Sequence, residues 1–251
     1  MELQDKFSYF EQNNILPYAI SYDSVETLKA FAEKHNITYP ILSDTNSNVI
    51  RQFGIFNHLV PKGHRWYGVP FPGTYMVDAN GIVIDKSFYA DYGVRDSVAR
   101  MLQKTFQIDS RGLPVQTLAN DDIKVRAYLS SNTMRRGQVQ TFTLDISLKK
   151  NRHIYAPLVT GGYIPTSVTF DPIEDVTFGT IVYPDPIQKE MLGERVPVYE
   201  KNIRLTTTIQ NKRREDFTLR AHLDYQACDD HECYMPQKLT FELPITYLEN
   251  V

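Results

Sequence analysis
The hydrophobic period of this chain changes once, near residue 115, from helix-like to strand-like spacing. A chain with both periods in separate halves must build two differently layered units. In the first half, residues 16–22 read as a strand and Asp23 as a helix N-cap, with Glu26 in capping-box position. Val25, Leu28, Phe31 and Ala32 follow at helical spacing as a buried stripe, and Asn36 is a stop. Residues 39–42 predict a second strand, and Val49, Ile50 and Phe53 a second helix ending at Gly54. Residues 74–77 and 82–84 flank Asp78-Ala79-Asn80-Gly81, a hairpin signal, and Val94, Val98, Met101 and Leu102 mark a closing helix. The alternation predicts an α/β domain over 1–110.

Past the change, residues 122–128, 138–148, 167–170, 196–209, 217–225 and 238–247 are rich in Val, Ile, Thr, Tyr and Phe and predict strands. That many strands with Pro-, Gly- and Asn-containing turns indicate an all-β sandwich over 118–251. Residues 111–117 form the expected linker, after Ser110 and around Gly112 and Pro114. The predicted class is therefore α+β in two domains.

Several function classes find no support. Net charge is −3, acids and bases nearly balance in each half, and the 16 tyrosines form no basic–aromatic stripe, so nucleic acid is not an expected partner. No apolar run approaches the roughly 18 residues of a membrane span. Acids stand at the N-terminus where a signal peptide has its basic patch, so no export signal is visible. Phosphate loops and Ser/His/Asp clusters are not evident, and no cofactor is expected.

The chemistry available lies at Cys228 and Cys233, the chain's two cysteines, in Tyr225-Gln226-Ala227-Cys228-Asp229-Asp230-His231-Glu232-Cys233-Tyr234-Met235-Pro236. Four intervening residues are too many for a thioredoxin-type pair but suit a bent loop with Cα atoms about 4.4–6.8 Å apart. Spacing alone admits a structural staple worth about 2–3 kcal/mol or a redox pair. Copper(I) or zinc could use Cys228, Cys233, His231 and an acid. The other histidines, His35, His58, His64, His153 and His222, are scattered, and no metal site is predicted. Asp229, Asp230 and Glu232 oppose thiolate formation, which favours an oxidised pair attacked by a partner's thiolate. His231 is the titratable base that offsets them.

The first half resembles the redoxins, the alkyl hydroperoxide reductase and thiol-specific antioxidant branch of the thioredoxin fold. The resemblance rests on Ala19-Ile20-Ser21-Tyr22-Asp23-Ser24, Tyr39-Pro40-Ile41-Leu42-Ser43-Asp44, Phe53-Gly54-Ile55 and Val69-Pro70-Phe71-Pro72-Gly73-Thr74-Tyr75-Met76-Val77-Asp78. It implies that Pro72 is a cis-proline beside an active cysteine. In redoxins that cysteine opens a helix, and this chain begins within the matching helix, at Leu3-Gln4-Asp5-Lys6-Phe7. The half therefore holds no nucleophile of its own, peroxidase activity is not expected of it, and a start upstream of Met1 is.

The second half is similar to the N-terminal domain of the thiol–disulfide interchange protein DsbD. The matching stretches are His153-Ile154-Tyr155-Ala156-Pro157, Tyr163-Ile164-Pro165-Thr166, Ile181-Val182-Tyr183-Pro184 and the two cysteine motifs. The resemblance implies an immunoglobulin-like sandwich in an extracytoplasmic compartment and a thioredoxin-like or other dithiol protein as partner. By position it implies that Cys233 forms the mixed disulfide and Cys228 resolves it. It further implies a cap loop over the disulfide, matched by Lys189-Glu190-Met191-Leu192-Gly193, with Met191 and Leu192 as the apolar cover and Glu190 as its acid. The expected function is thiol–disulfide exchange. A non-enzymatic scaffold with a structural disulfide and an inactive thioredoxin-like domain is the alternative.

Overall fold
The structure, a computed structural model, describes residues 2–108, 113–191 and 193–249. The chain is mostly strand with few helices and separates into two compact units, within residues 1–98 and 99–250.

The first unit contains α1 (Glu2–Asp5), α2 (Phe7–Gln12), β1 (Ala19–Ser21), α3 (Val25–Lys34), β2 (Ile41–Ser43) and α4 (Asn48–Gln52). It continues with β3 (Gly73–Val77), β4 (Val83–Phe88) and β5 (Arg95–Asp96), and α5 (Val98–Phe106) begins at its end. Ser24, not Asp23, caps α3, its side chain accepting from the Thr27 N–H at 3.3 Å. Asp23 is occupied, its carboxylate accepting from Ser21 Oγ at 2.5 Å. Asn36 at φ 51° stops the helix, the left-handed conformation Asn tolerates. Of the expected apolar stripe Leu28 is buried, whereas Val25 and Phe31 are exposed. Three-residue strands are too short to cover that face.

β1 and β2 pair in parallel, and β3 and β4 form the expected hairpin, with Gly81 at φ 78° and Asp78 Oδ1 accepting from the N–H groups of Asn80 and Ile82. These are two separate two-stranded sheets rather than the single sheet of a thioredoxin-like domain, since among the described residues no strand joins β1 to β3. Pro72 is not a cis-proline: no cis peptide bond occurs among the described residues. The Phe71 N–H bonds Ile55 O and Gly73 opens β3 directly, so no tight turn offsets the usual trans preference here.

The second unit holds β6 (Gln116–Ala119), β7 (Ile123–Leu129), β8 (Thr133–Met134), β9 (Gln138–Leu148), β10 (His153–Tyr155), β11 (Ser167–Phe170) and β12 (Val176–Phe178). β13 (Ile187–Met191), β14 (Glu194–Glu200), β15 (Asn202–Asn211), β16 (Phe217–Tyr225), β17 (Ala227–Cys228) and β18 (Gln237–Tyr247) complete it. One sheet runs β12-β15-β9-β7-β6, and a second runs β11-β16-β18-β8. Alternate residues of facing strands supply the core between them: Ile123, Val125 and Ala127; Phe142, Leu144 and Ile146; Leu219, Ala221 and Leu223; Phe241, Leu243 and Ile245. Each larger side chain so buried contributes about 1.5–3 kcal/mol relative to exposure.

A third sheet, β13-β14-β10-β17, carries Cys228, to which Cys233 is bridged from outside the sheet. It exists because the run expected as one strand over 196–209 breaks at Lys201, φ 63°, sending β14 and β15 into different sheets. Gln116 and Thr117, expected in the linker, instead pair with Ala127 and Arg126 in β6–β7, while Arg111 and Gly112 lie outside the described residues.

Candidate redox site
Cys228 and Cys233 are joined as a disulfide closing a tight hairpin after β17. The Tyr234 N–H bonds Ala227 O at 2.8 Å and the Asp229 N–H bonds Glu232 O at 2.9 Å. The cysteines therefore form the non-hydrogen-bonded cross-strand pair between these two bonds, where backbones approach closest. This accounts for a Cα–Cα distance of 4.0 Å, below the range expected for a loose loop. The two sulfurs differ in access. Cys228 is fully buried with Tyr155, Val196 and Val198, whereas Cys233 lies at the surface.

Tyr155, on β10, is buried, and its hydroxyl donates to Cys228 Sγ at 3.1 Å and lies 3.3 Å from Cys233 Sγ. Desolvation, reinforced by Tyr163, raises its pKa, so the hydroxyl keeps its proton and remains a donor. Gly161 and Gly162, at φ 85° and 87°, turn the following loop back so that the Tyr163 ring sits 4.6 Å from that of Tyr155.

Two of the three acids expected to burden the cysteines, Asp229 and Asp230, are engaged. Asp229 accepts from the N–H groups of His231 and Glu232 at 2.8 and 2.9 Å, from the Tyr234 hydroxyl at 2.5 Å and from Arg152 Nη1 at 3.0 Å. The Tyr234 bond, the two backbone bonds and Arg152 hold its carboxyl far below the usual carboxylate range. Arg152 also binds Asp122 at 3.0 Å and lies 4.4 Å over the Tyr234 ring. Asp230 pairs with Lys189 Nζ at 2.9 Å, which lowers its pKa. Lys189 binds Glu200 at 3.1 Å as well. Its partial desolvation would lower its pKa, but the two carboxylates outweigh that and raise it.

The expected cap is not a loop but an arm of the β13–β14 hairpin, turning at Gly193, φ 84°. Strand alternation puts Lys189 and Met191 on one face and Glu190 on the other. Met191 packs against the cluster containing Cys228; Glu190 is exposed, opposite Arg195, and is not brought to the site. Leu192 lies outside the described residues. His231 sits exposed at the hairpin tip, and Pro72 belongs to the other unit.

Sequence reasoning did not select Tyr155, Arg152, Lys189 or His153. His153, counted among the scattered histidines, is fully buried and pairs in register with Cys228 across β10–β17. The available signal was the alternation of His153 and Tyr155 in a short strand, which puts both rings on one face. No group of three or more His, Cys, Asp or Glu able to hold a metal occurs among the described residues.

Residues 1–86 match the AhpC/TSA family, and residues 123–245 match the family of the N-terminal part of the thiol:disulfide interchange protein DsbD. The chain carries an AhpC/TSA redoxin domain and a DsbD N-terminal domain. The redoxin part is 25% identical over 87 residues to a putative peroxiredoxin bcp of Buchnera aphidicola subsp. Schizaphis graminum, covering 35% of this chain and 54% of that protein. It is 31% identical over 80 residues to the chloroplastic peroxiredoxin Q of Sedum lineare, covering 32% of this chain and 40% of that one. The chain thus spans about half the length of these relatives. Among solved structures, the N-terminal periplasmic domain of ScsB from Proteus mirabilis is 15% identical, with a TM-score of 0.38 over 53% of this chain and 50% of that one. The reduced Neisseria meningitidis DsbD N-terminal domain is 14% identical, with a TM-score of 0.33 over 54% and 87%. No helix among the described residues is long and apolar enough to cross a membrane.

Proposed function
We propose that this chain is a thiol–disulfide oxidoreductase whose DsbD-type domain, an immunoglobulin-like sandwich, exchanges electrons with a thioredoxin-like dithiol protein through Cys228–Cys233. The first unit is read as a thioredoxin-like redoxin fold. One observation carries the reading: Cys233 is exposed while Cys228 is buried in the cluster that Met191 packs against and is bonded by Tyr155. A partner thiolate attacks Cys233 Sγ, the S–S bond breaks, and its electron pair leaves on Cys228 Sγ, which then takes a proton. The partner's second thiolate displaces Cys233 from the mixed disulfide. Two electrons have then passed to the pair and the partner has become a disulfide. In reverse, Cys233 attacks a partner's disulfide and Cys228 resolves the intermediate.

Support also comes from redundancy. Asp229 already fixes the hairpin through its two backbone bonds, Tyr234 and Arg152, so a further staple adds little there. An oxidising, extracytoplasmic compartment suits such a pair. The test is the reduction potential of Cys228–Cys233, measured in glutathione buffers by counting alkylated thiols. A value of about −120 to −270 mV fits a working exchange pair, and one below about −300 mV identifies a structural staple. Replacing both cysteines by Ala separates the readings further: exchange predicts lost electron transfer with modest loss of stability.

A further inference from the structure
His153 is fully buried, and its Nε2 has no hydrogen-bond partner among the described residues. Buried polar atoms are rarely left so, and each exception needs a physical reason. On the other side of the ring, Nδ1 lies 3.5 Å from Lys189 Nζ, at the long limit of a hydrogen bond. An ammonium can only donate, so Nδ1 is the acceptor and the proton of the neutral imidazole sits on Nε2. The unpartnered atom is therefore a donor without an acceptor in the oxidised protein.

The ladder puts a sulfur on the same face as this donor. His153 stands opposite Cys228 in the β10–β17 register, so both side chains leave the same face of adjacent strands. Tyr155, two residues along, is on that face, with its ring 5.6 Å from that of His153 and its hydroxyl on the cysteine sulfur. A disulfide sulfur is a poor acceptor; a thiolate is a strong one.

We propose that His153 Nε2–H is the built-in partner of the Cys228 thiolate, idle while the disulfide is closed and engaged when a partner dithiol opens it. This rests on the exchange reading above and assigns the leaving sulfur a positioning residue. When the S–S bond breaks, Nε2–H donates to the Cys228 thiolate, and when that sulfur is protonated the Nε2 proton moves to Sγ as Lys189 passes one to Nδ1. Solvent restores the lysine proton, so one proton is taken up at Cys228 for the electron pair it receives. The groups facing His153 are Lys189 from β13, Glu200 from β14, Asp229 and Asp230 from the cysteine hairpin, and Tyr155 and Cys228. Burial first, then Lys189, holds the imidazole neutral by lowering its pKa, against the opposing pull of the three carboxylates.

The test compares wild type with His153→Phe, which keeps a ring without a donor, and His153→Gln, which keeps an amide donor. Thiolate absorbance is followed against pH in the reduced proteins, and the rate of reduction by dithiothreitol in the oxidised ones. The Cys228 thiol of His153→Phe is expected to titrate about one unit higher, with reduction about tenfold slower, and His153→Gln to recover part of both. Nitrogen NMR of His153 in the wild type needs no variant: the Nε2 resonance should move when the disulfide is reduced. An unmoved resonance, or an unchanged titration in a folded His153→Phe, overturns the inference while leaving exchange intact. A wild-type disulfide that dithiothreitol cannot reduce in the folded state defeats the exchange reading itself.

Discussion
Tyr155 donates its hydroxyl hydrogen to Cys228 Sγ across 3.1 Å inside a fully buried pocket, bridging two strands adjacent in space and far apart in sequence. A donor at that sulfur gains strength as negative charge develops on it, because charge-assisted hydrogen bonds are about twice as strong as neutral ones. Tyr155→Phe should therefore lower thermal stability by about 1 kcal/mol at most. It should slow reduction by dithiothreitol roughly tenfold. Equal rates in stopped-flow reduction would show that the hydroxyl plays no part in bond breaking.

Access predicts unequal cysteines. In Cys228→Ser, the exposed Cys233 should react quickly with a chromogenic disulfide and trap a partner as a mixed disulfide. In Cys233→Ser, the buried Cys228 reacts after local opening, and an opening of about 3 kcal/mol slows it about a hundredfold. Comparable labelling rates would contradict the assigned direction of attack.

Asp229 organises the hairpin from a carboxyl held well below its unfolded value. Its contribution is complete above the unfolded carboxylate pKa of about 3.9 and is lost as pH falls toward the depressed folded one. The protection of the His231 and Glu232 amides, taken relative to their intrinsic exchange rates, should therefore hold down to about pH 4 and decline below it. Asp229→Asn, which cannot pair ionically with Arg152, should lose this protection at neutral pH and approach the wild type in acid.

Met191 covers the cluster around Cys228. Truncating this partly buried side chain in Met191→Ala should cost about 1–2 kcal/mol, less than a full core deletion. Reduction by a small thiol should become faster, because the sulfur loses cover. A slower reaction would mean that Met191 assists exchange rather than shielding the pair.

The sandwich was legible where burial alternates. Phe217–Tyr225 appears at its expected bounds because one face meets the core; Gln138–Leu148 does so as well, on its run of β-favouring residues, although both faces of its first seven positions are buried. Residues 196–209 were read as one strand because β-rich composition carries no mark of the turn at Lys201. The cysteine hairpin was legible as a local motif, but its cations were not. Arg152 and Lys189 reach it through the pairing of β10 with β14 and β17 and of β13 with β14, contacts between residues distant in sequence. Glu190 is matched by resemblance as the acid of the cap, and strand parity turns it away from the face that carries Lys189 and Met191. In the first unit Asp23 lost the capping position to Ser24 because Ser21 had already claimed its carboxylate.

The arm that ends in Met191 also bears Lys189 two residues earlier, on the same face. Swinging that arm aside for an incoming protein would uncover the sulfur and withdraw the ammonium from Asp230 and His153 in a single movement. Shielding and charge at Cys228 therefore ride on one strand, so a displacement of that strand would change both together.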